Sequence, residues 1–252
     1  MVFDIFRRWA RPEIAPRTPE GERIYAVGDI HGRLDLLRKL HDLIAADAKS
    51  ANAAVKTIVY LGDYLDRGLD SRGVIDCLMD ETPEGLTAVY LKGNHEAVTL
   101  QFLDDAAMGE NWLQFGGDAT LYSYGAQLTA AAGGQWNMVD AQLTFRENLP
   151  DCHLDFLRLL RSQCLIGDYL FVHAGVKPGV AVAEQKDQDL LWIRGEFLNS
   201  RADHGAMVIH GHSISLEGED MPNRVNIDTG AYATGVLTCL VMDGEDRWKL
   251  QT

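Results

Sequence analysis

Short apolar runs alternate with amphipathic stretches over the first part of the chain. The runs at 23–27, 56–61 and 86–91 are rich in β-branched and aromatic residues, which is typical of buried strands. Between them, apolar residues recur at helical spacing over 33–46 and 71–80, and this spacing predicts two crossover helices. The order of strand, helix and strand predicts parallel βαβ units.

The rest of the chain follows a different pattern. A third helix is predicted at 96–105, and the glycine-rich, aromatic-containing stretch 106–150 predicts helical segments that form an insertion or cap. An amphipathic helix is predicted at 151–162, and a further helix or turn near 190–198. The predicted strands of this half are 164–166 and 169–172, joined as a hairpin, then 206–209, 224–227, 235–242 and 247–250.

These elements predict an α/β fold with four layers, in which a central β-sandwich of two mixed sheets is flanked by helices. We expect a single domain over residues 23–252, preceded by a mobile leader at 1–22. A chain of 252 residues is long enough to bury a substantial core as one domain.

Charge and composition exclude several classes of partner. The chain has 23 Lys and Arg against 37 Asp and Glu, and its net charge of −14 disfavours binding to nucleic acid or to an anionic membrane. The first ten residues lack the apolar core of a signal peptide, and no apolar run reaches the ~18 residues that a membrane-spanning helix needs. We therefore expect a cytoplasmic protein, whose oligomeric state the sequence does not indicate.

The cysteines do not suggest redox or metal chemistry. They lie in apolar segments without C-x-x-C spacing, so we expect buried, reduced thiols. They are Cys77, Cys152, Cys164 and Cys239.

Polar side chains follow the predicted strands at the points where the strands end. These side chains are Asp29, His31, Asp63, Asn94, His173 and His212. Because ligands in open α/β sheets bind at the carboxyl ends of the strands, we expect these side chains to converge on one site.

The converging side chains have the chemistry of a dinuclear metal site. Carboxylate, amide and imidazole ligands without a thiolate suit Mn²⁺, Fe, Co²⁺ or catalytic Zn²⁺ rather than structural zinc. The Asp-x-His spacing places Asp29 and His31 on the same side of an extended segment, so they can chelate one ion, and Asp63 can bridge to a second. The remaining ligands of the second ion would be Asn94, His173 and His212. We expect two divalent cations, Mn²⁺ first among them, that activate a water for displacement at phosphorus.

Further residues near these strand ends suit a phosphate substrate. Arg67 and Arg194, together with Asn94, are candidates for binding the phosphate, because a planar guanidinium can bond two of its oxygens. A leaving alkoxide needs a proton, for which His95 is the candidate donor. Asp66 is the carboxylate that would orient His95 and keep it protonated.

Five motifs resemble those of the metallophosphoesterases. They are Gly-Asp-Ile-His-Gly at 28–32, Gly-Asp-Tyr-Leu-Asp-Arg-Gly at 62–68, Gly-Asn-His-Glu at 93–96, Val-His-Ala-Gly at 172–175 and His-Gly-His-Ser at 210–213. They are most similar to the phosphoprotein (serine/threonine) phosphatases of bacterial type, and the match runs from residue 28 to residue 230.

The resemblance implies a fold, a metal centre and a mechanism. The fold would be the metallophosphoesterase β-sandwich, with a dinuclear centre held by the six ligands named above. A metal-bridging hydroxide would attack directly, without a phosphoenzyme. The resemblance also implies that His95 and Asp66 form the acid pair and that Arg67 and Arg194 contact the phosphate.

Three functions remain open at this point. The first is hydrolysis of phosphoserine and phosphothreonine in proteins, extending to phosphotyrosine and small phosphate esters. The second is symmetrical cleavage of diadenosine tetraphosphate by the same centre, and the shape of the 106–150 insertion would decide between the two. The third is a scaffold that binds phosphorylated partners without turnover, which would have no need of a proton donor such as His95.

Several other polar residues receive structural roles. His210 replaces an apolar residue of the family pattern, and we expect it to be packed or solvated rather than a ligand. Asp228 is expected to support the ligand loops by hydrogen bonding, and Glu96 to orient loops or cap the third helix. His153 and His204 are expected on the surface.

Overall fold

The computed structural model describes residues 15–130, 134 and 136–252. The first sheet contains the three parallel strands of the predicted βαβ units. Two later strands extend the sheet at one edge, and each of them is antiparallel to the strand before it in the sheet. The strands are β1 (Glu22–Val27), β2 (Val55–Tyr60), β3 (Thr87–Tyr90), β9 (Thr238–Asp243) and β10 (Asp246–Gln251). Their order across the sheet is β10-β9-β1-β2-β3.

The second sheet is also mixed. Its strands are β4 (Gln163–Ile166), β5 (Tyr169–Val172), β6 (Met207–His210), β7 (Glu219–Met221) and β8 (Arg224–Asn226). The order is β4-β5-β6-β8-β7, in which β5, β6 and β8 are parallel and the two outer strands are antiparallel to their neighbours.

Helices cover both outer faces of the sandwich and fill the insertion. They are α1 (Leu34–Ser50), α2 (Ser71–Asp80), α3 (Asn94–Asp104), α4 (Gly109–Leu113), α5 (Gly117–Ser123), α6 (Met138–Asn148), α7 (Asp151–Leu159), α8 (Asp187–Trp192), α9 (Gly195–Leu198) and α10 (Ala231–Thr234). Short 3-10 turns occur at Ala106–Met108 and Val182–Glu184. None of the helices in the described part of the chain combines the length and apolar character that a membrane-spanning segment requires.

The alternation of side chains along the strands creates the layers. In β1, Ile24 and Ala26 pack against the second sheet, where Phe171 and Ile209 face them. The intervening Tyr25 of β1 packs in a second core on the opposite face of the sheet. That core includes α1 and α2, and a separate core lies behind β5 and β6. The predicted sandwich of two mixed sheets flanked by helices is therefore confirmed.

Some details differ from the prediction. The sequence did not indicate that β9 and β10 join the first sheet beside β1, nor that β7 and α10 exist. The packed fold also begins earlier than residue 22, since the hydroxyl of Tyr169 donates to the Pro16 carbonyl at 2.9 Å and Thr18 N–H donates to the Gly244 carbonyl at 3.0 Å. Residues 1–14 of the predicted leader lie outside the described residues.

The cysteine prediction is only partly confirmed. Cys77 and Cys239 are buried, but Cys164 is half-buried and Cys152 is exposed. Cys152 lies in the first turn of α7, where the apolar spacing of the helix did not reveal which face is covered.

Candidate active site

The predicted site residues follow strand ends on one edge of the sandwich. Asp29 and His31 follow β1, Asp63 follows β2, Asn94 begins α3 after β3, and the last two, His173 and His212, follow β5 and β6. All six side chains are buried, at most 7% exposed. Parallel strands in both sheets thus deliver donor groups to the same place, as the motif spacing predicts.

The backbone at this place is strained. Positive φ angles between 47° and 70° occur at five residues other than glycine, and within the described residues they are confined to this site. The residues are His31, Asp63, Asp66, Arg67 and His212. Left-handed backbone costs a residue with a Cβ atom roughly 1–2 kcal/mol, so the surrounding contacts must hold these turns.

Asp63 lies between two groups of imidazoles. Its Oδ2 is 3.5 Å from Nε2 of His31 and 3.7 Å from Nε2 of His95. Its Oδ1 is 3.3 Å from Nε2 of His173, which is itself 3.2 Å from Nδ1 of His212. Asn94 joins the second group, with Oδ1 2.9 Å from Nε2 of His173. One carboxylate therefore faces two clusters of donor atoms.

The two clusters fit divalent cations. His31 donates Nδ1–H to the Leu65 carbonyl at 2.7 Å, and His173 donates Nδ1–H to the Leu61 carbonyl at 2.9 Å. In both rings Nε2, which lies on the side of Asp63, therefore keeps a lone pair that could bind a cation. Oδ1 of Asp29 is buried and has no hydrogen-bond partner among the described residues. A buried carboxylate oxygen without a partner is costly, and a bound cation would satisfy it.

The protonation of the histidines also fits metal binding. Burial lowers the pKa of His31 to about 3, that of His212 to about 2, and also that of His173, so these imidazoles are neutral at physiological pH. Neutral imidazole is the form that binds metals. Burial and the neighbouring carboxylates Asp228 and Asp63 raise the pKa of Asp29, a repulsion that positive charge would relieve.

His95 differs from these three histidines. Burial alone would lower its pKa, but Asp63 and Asp66 outweigh this effect and the pKa is raised. Its Nδ1 donates to Oδ2 of Asp66 at 2.7 Å. The structure thus brings the predicted carboxylate and imidazole into contact, and the raised pKa favours the protonated form of His95.

The two predicted arginines lie beside the donor clusters. Nη2 of Arg67 is 3.3 Å from Nε2 of His95, and its guanidinium stacks 4.7 Å above the ring of Tyr232. Arg194 is exposed and donates Nη1–H to Oγ of Ser213 at 3.3 Å. Neither arginine has a carboxylate within salt-bridge distance in the described part of the chain, so both charges are available to an anion.

Glu96 organises the loops, as predicted. Its Oε2 accepts from the backbone N–H of Asp63 at 2.9 Å and of Gly93 at 2.8 Å, and its Oε1 accepts from Tyr64 N–H at 2.8 Å. Burial, and to a smaller extent the neighbouring carboxylate of Asp63, raises the pKa of Glu96 to about 7. The side chain therefore ties the loop after β2 to the beginning of α3.

The structure also shows contributors that the sequence did not indicate. Trp112 donates its indole N–H to Oδ2 of Asp66 at 2.9 Å, and Thr120 donates its hydroxyl to Oδ1 at 2.6 Å. Both residues belong to the insertion. Tyr232 of α10 lies under Arg67 and edge-on to His31 at 5.5 Å. The sequence did not single out Trp112, and the need of a buried indole N–H for a partner was the one available signal.

The remaining predictions have mixed outcomes. His210 is packed, edge-on to Phe197 at 5.0 Å, and belongs to neither donor cluster, as expected. Oδ1 of Asp228 accepts from Gly230 N–H at 2.9 Å, which is the expected supporting role.

The surface placement of two histidines is not supported. It is wrong for His153, which is 2% exposed. Its two ring nitrogens lie 2.8 Å from the hydroxyl of Tyr124 and 2.9 Å from Oδ1 of Asp76. His204 is half-buried, with its ring 5.4 Å from that of Phe197.

Comparison with known families identifies the fold and its chemistry. Residues 22–229 match the family described as calcineurin-like phosphoesterase. The chain belongs to the calcineurin-like phosphoesterase family. It is therefore a metallophosphoesterase, a hydrolase of phosphoric esters, and its family uses divalent metals. This membership confirms the predicted resemblance.

Relatives of this phosphoesterase act on different phosphates. The chain is 31% identical over 225 residues to serine/threonine-protein phosphatase 1 of Salmonella typhimurium, covering 85% of this chain and 89% of the relative. It is 24% identical over 237 residues to an asymmetrical bis(5'-nucleosyl)-tetraphosphatase of Anoxybacillus flavithermus, covering 85% and 88%. The nucleotide relative is thus named for asymmetrical cleavage, whereas the sequence suggested the symmetrical reaction.

Solved structures share the fold. A crystal structure of a candidate diadenosine tetraphosphatase has a TM-score of 0.62 at 20% identity, covering 94% of this chain and 98% of the other. A cold-active protein-tyrosine phosphatase of a psychrophilic Shewanella has a TM-score of 0.53 at 16% identity, covering 93% and 83%. These similarities support the metallophosphoesterase sandwich and leave the substrate to other arguments.

Proposed function

We propose that this phosphoesterase is a phosphoprotein phosphatase that hydrolyses phosphoserine and phosphothreonine. Phosphotyrosine and small phosphomonoesters would be further substrates, and the protein's physiological partners would be phosphorylated proteins. The observation that carries the proposal is the buried pair of His95 and Asp66, whose Nδ1 to Oδ2 distance is 2.7 Å. The 31% identity to a bacterial serine/threonine-protein phosphatase supports the same conclusion.

The acid pair matters because the possible leaving groups differ in basicity. A serine or threonine leaves as an alkoxide, which is almost as basic as hydroxide and must be protonated as the P–O bond breaks. A nucleotide leaves a polyphosphate as a phosphate, whose pKa is about 6, so it departs without a proton donor. A site that buries a protonated imidazole beside the substrate arginines is therefore suited to alkyl phosphomonoesters.

Two divalent cations would complete the site. Asp29, His31 and Asp63 would hold one of them. Asp63 would also contribute to the second, whose other ligands would be Asn94, His173 and His212. When bound, such a pair lowers the pKa of a water molecule toward neutrality and offsets negative charge at phosphorus. We propose Mn²⁺ as the resident metal, with Fe, Zn²⁺ and Co²⁺ as alternatives that the same donor set accepts.

The chain's own groups would bind and orient the phosphate. Arg67 and Arg194 lack carboxylate partners among the described residues and can each offer two N–H donors to phosphate oxygens. Asn94 would present its amide N–H to a third oxygen while its carbonyl faces His173. The ring of Tyr232 restricts Arg67 to one side of the site.

Asymmetrical hydrolysis of a dinucleoside tetraphosphate is the second candidate. It is favoured by the relative from Anoxybacillus flavithermus, although its identity of 24% is lower than that of the protein phosphatase. A scaffold without turnover is disfavoured, because phosphate binding alone does not require the hydrogen-bonded pair of His95 and Asp66.

Phosphate release from defined substrates tests the proposal. Mn²⁺-loaded protein is incubated with phosphoserine and phosphothreonine peptides and, separately, with diadenosine tetraphosphate. We expect faster turnover of the peptides and a loss of about 10²–10⁴-fold in their kcat in His95→Asn, because general acid catalysis contributes that amount. Selective turnover of the dinucleotide would overturn the proposal.

A matched control separates chemistry from folding. His41 is also buried and hydrogen-bonded, with Nε2 2.8 Å from the hydroxyl of Tyr60, but it lies in α1 behind the first sheet. His41→Asn should retain the kcat of the wild type on phosphopeptides. If both variants lose activity equally, the assignment of His95 as the proton donor is wrong.

A further inference from the structure

Two side chains of the insertion hold the carboxylate of Asp66. This carboxylate is fully buried. Its Oδ1 accepts the hydroxyl proton of Thr120 at 2.6 Å, and its Oδ2 accepts the indole N–H of Trp112 at 2.9 Å and Nδ1–H of His95 at 2.7 Å. Two of these three donors thus come from α4 and α5, 46 and 54 residues further along the chain.

The insertion also holds the backbone of the same turn. Asp66 and Arg67 are consecutive left-handed residues, with φ angles of 70° and 66°. Asp66 N–H donates to Oγ1 of Thr120 at 2.9 Å, so this hydroxyl contacts both the main chain and the carboxylate of one residue. Arg67 N–H donates to the Gly116 carbonyl at 3.1 Å. These bonds offset the cost of a strained turn.

The donors are themselves fixed by packing. Trp112 is buried in the core of the insertion, with its ring 4.8 Å from that of Phe102 and 5.8 Å from that of Phe145. A Cβ atom at Gly117 would lie 2.5 Å from the indole, so only glycine allows this close packing. Phe115, between the two helices, packs edge-on to His95 at 5.9 Å. The indole N–H therefore has one direction available to it.

We infer that Trp112 and Thr120 are positioning residues for proton donation by His95, and this inference rests on the proposed phosphomonoesterase function. Their two hydrogen bonds fix both oxygens of Asp66, which leaves one orientation for the carboxylate and hence for the imidazole. As the oxygen of the attacking water bonds to phosphorus, the P–O bond to the leaving group breaks. Its electron pair passes to the leaving oxygen, which takes the Nε2 proton of His95. Asp66 keeps its negative charge and stabilises the imidazolium before the transfer.

This role predicts a dependence on the leaving group that a purely structural role lacks. Phenol has a pKa of about 10 and needs a proton as it leaves, whereas p-nitrophenol is far more acidic and leaves readily as an anion. Loss of positioning should therefore slow hydrolysis of phenyl phosphate much more than that of p-nitrophenyl phosphate.

The test uses Thr120→Val and Trp112→Phe in the full-length, Mn²⁺-loaded enzyme. Each change removes one donor and keeps most of the packing, and bound metal is measured in every preparation. Thr238→Val and Trp248→Phe are matched controls. Thr238 carries a buried hydroxyl in β9 that bonds Thr229 and Gln251, and Trp248 lies in β10. Thr120→Ser restores the hydroxyl.

We expect kcat on phenyl phosphate to fall roughly tenfold or more in the two variants, because general acid catalysis contributes about 10²–10⁴-fold. On p-nitrophenyl phosphate the fall should be below about threefold, and Thr120→Ser should recover most of the loss. In a His95→Asn background, adding Thr120→Val should change kcat little, since residues that act as a unit are non-additive.

Two results would overturn the positioning role. One is an equal fall in kcat on both aryl phosphates, and the other is a fall in kcat on adding Thr120→Val to His95→Asn that is as large as in the wild-type background. If Thr120→Val fails to fold, Trp112→Phe carries the same comparison. A wild-type enzyme that releases phosphate from neither aryl phosphate nor from a phosphoserine peptide would instead refute the phosphomonoesterase function. The two failures are therefore distinguishable.

Discussion

Gly93→Ala should disturb the central carboxylate without removing any proposed ligand. A Cβ atom at this position would lie 2.1 Å from Oδ1 of Asp63 and 2.4 Å from its backbone nitrogen, whereas ordinary contacts begin at 3.4 Å. The carboxylate and its loop must therefore shift by about 1 Å relative to residue 93. Metal–ligand distances tolerate only about 0.2 Å, so both proposed cation sites should be distorted.

The expected effect is a large loss of metal affinity with a modest loss of stability. Changes beside a metal site typically lower affinity by about 10–100-fold, and overpacking a core costs about 1–3 kcal/mol. Isothermal titration of metal-free protein with Mn²⁺ measures the first quantity, and urea unfolding measures the second. Gly85→Ala is the control, because it strains a residue at φ 80° but has no atom within 4 Å of the added Cβ. Wild-type Mn²⁺ affinity in a folded Gly93→Ala protein would refute the assignment of Asp63 as the shared ligand.

Three further outcomes are expected. Tyr232→Ala should raise the KM for a phosphoserine peptide about two- to fivefold, because a cation–π contact with Arg67 contributes about 0.5–1 kcal/mol, while Tyr232→Phe keeps the ring and the wild-type KM. Burial lowers the pKa of His41 from 6.5 to about 4, so its contribution to stability is present above pH 6.5 and is lost as the pH falls toward 4. Between pH 7 and pH 4, the free energy of unfolding of the wild-type protein should fall by up to about 3 kcal/mol more than that of His41→Asn. Equal losses in the two proteins would contradict this reasoning. Chelation should abolish phosphate release, and excess Mn²⁺ should restore it. Mn²⁺ at 100 times its Kd should add about 2.7 kcal/mol to the free energy of unfolding. Unchanged activity after complete metal removal would refute the metal requirement.

The position of the candidate donor groups at strand ends could be predicted because local patterns specify it. Asp29, Asp63 and Asn94 each follow a short apolar strand, and the parallel arrangement of consecutive βαβ units then requires them to meet. The pairing of His95 with Asp66 was predicted instead from the proton that a leaving alkoxide needs and from the resemblance to the metallophosphoesterases.

The sequence did not reveal contacts that depend on long-range packing. Thr120 and Trp112 reach Asp66 across 54 and 46 residues, through an insertion whose helices are short and broken by glycines. The contact between His153 and Asp76 likewise joins residues 77 positions apart. No periodicity in the sequence records such separations.

Strand partners were also indeterminate. β9 has the apolar content of a buried strand, but apolar content alone fits a position in either sheet. Its pairing with β1 joins residues more than 200 positions apart. β7 is short and polar, so it lacks the alternation that predicts a strand. The left-handed turn at Asp66 and Arg67 was hidden because neither residue is a glycine.

Anomalous diffraction from crystals grown with Mn²⁺ tests the central claim most directly. We expect two manganese peaks about 3.5–4 Å apart, one beside each oxygen of Asp63. His31 would lie at the first peak and His173 at the second. A single peak remote from Asp63, or ordered side chains with no manganese between them, would contradict it.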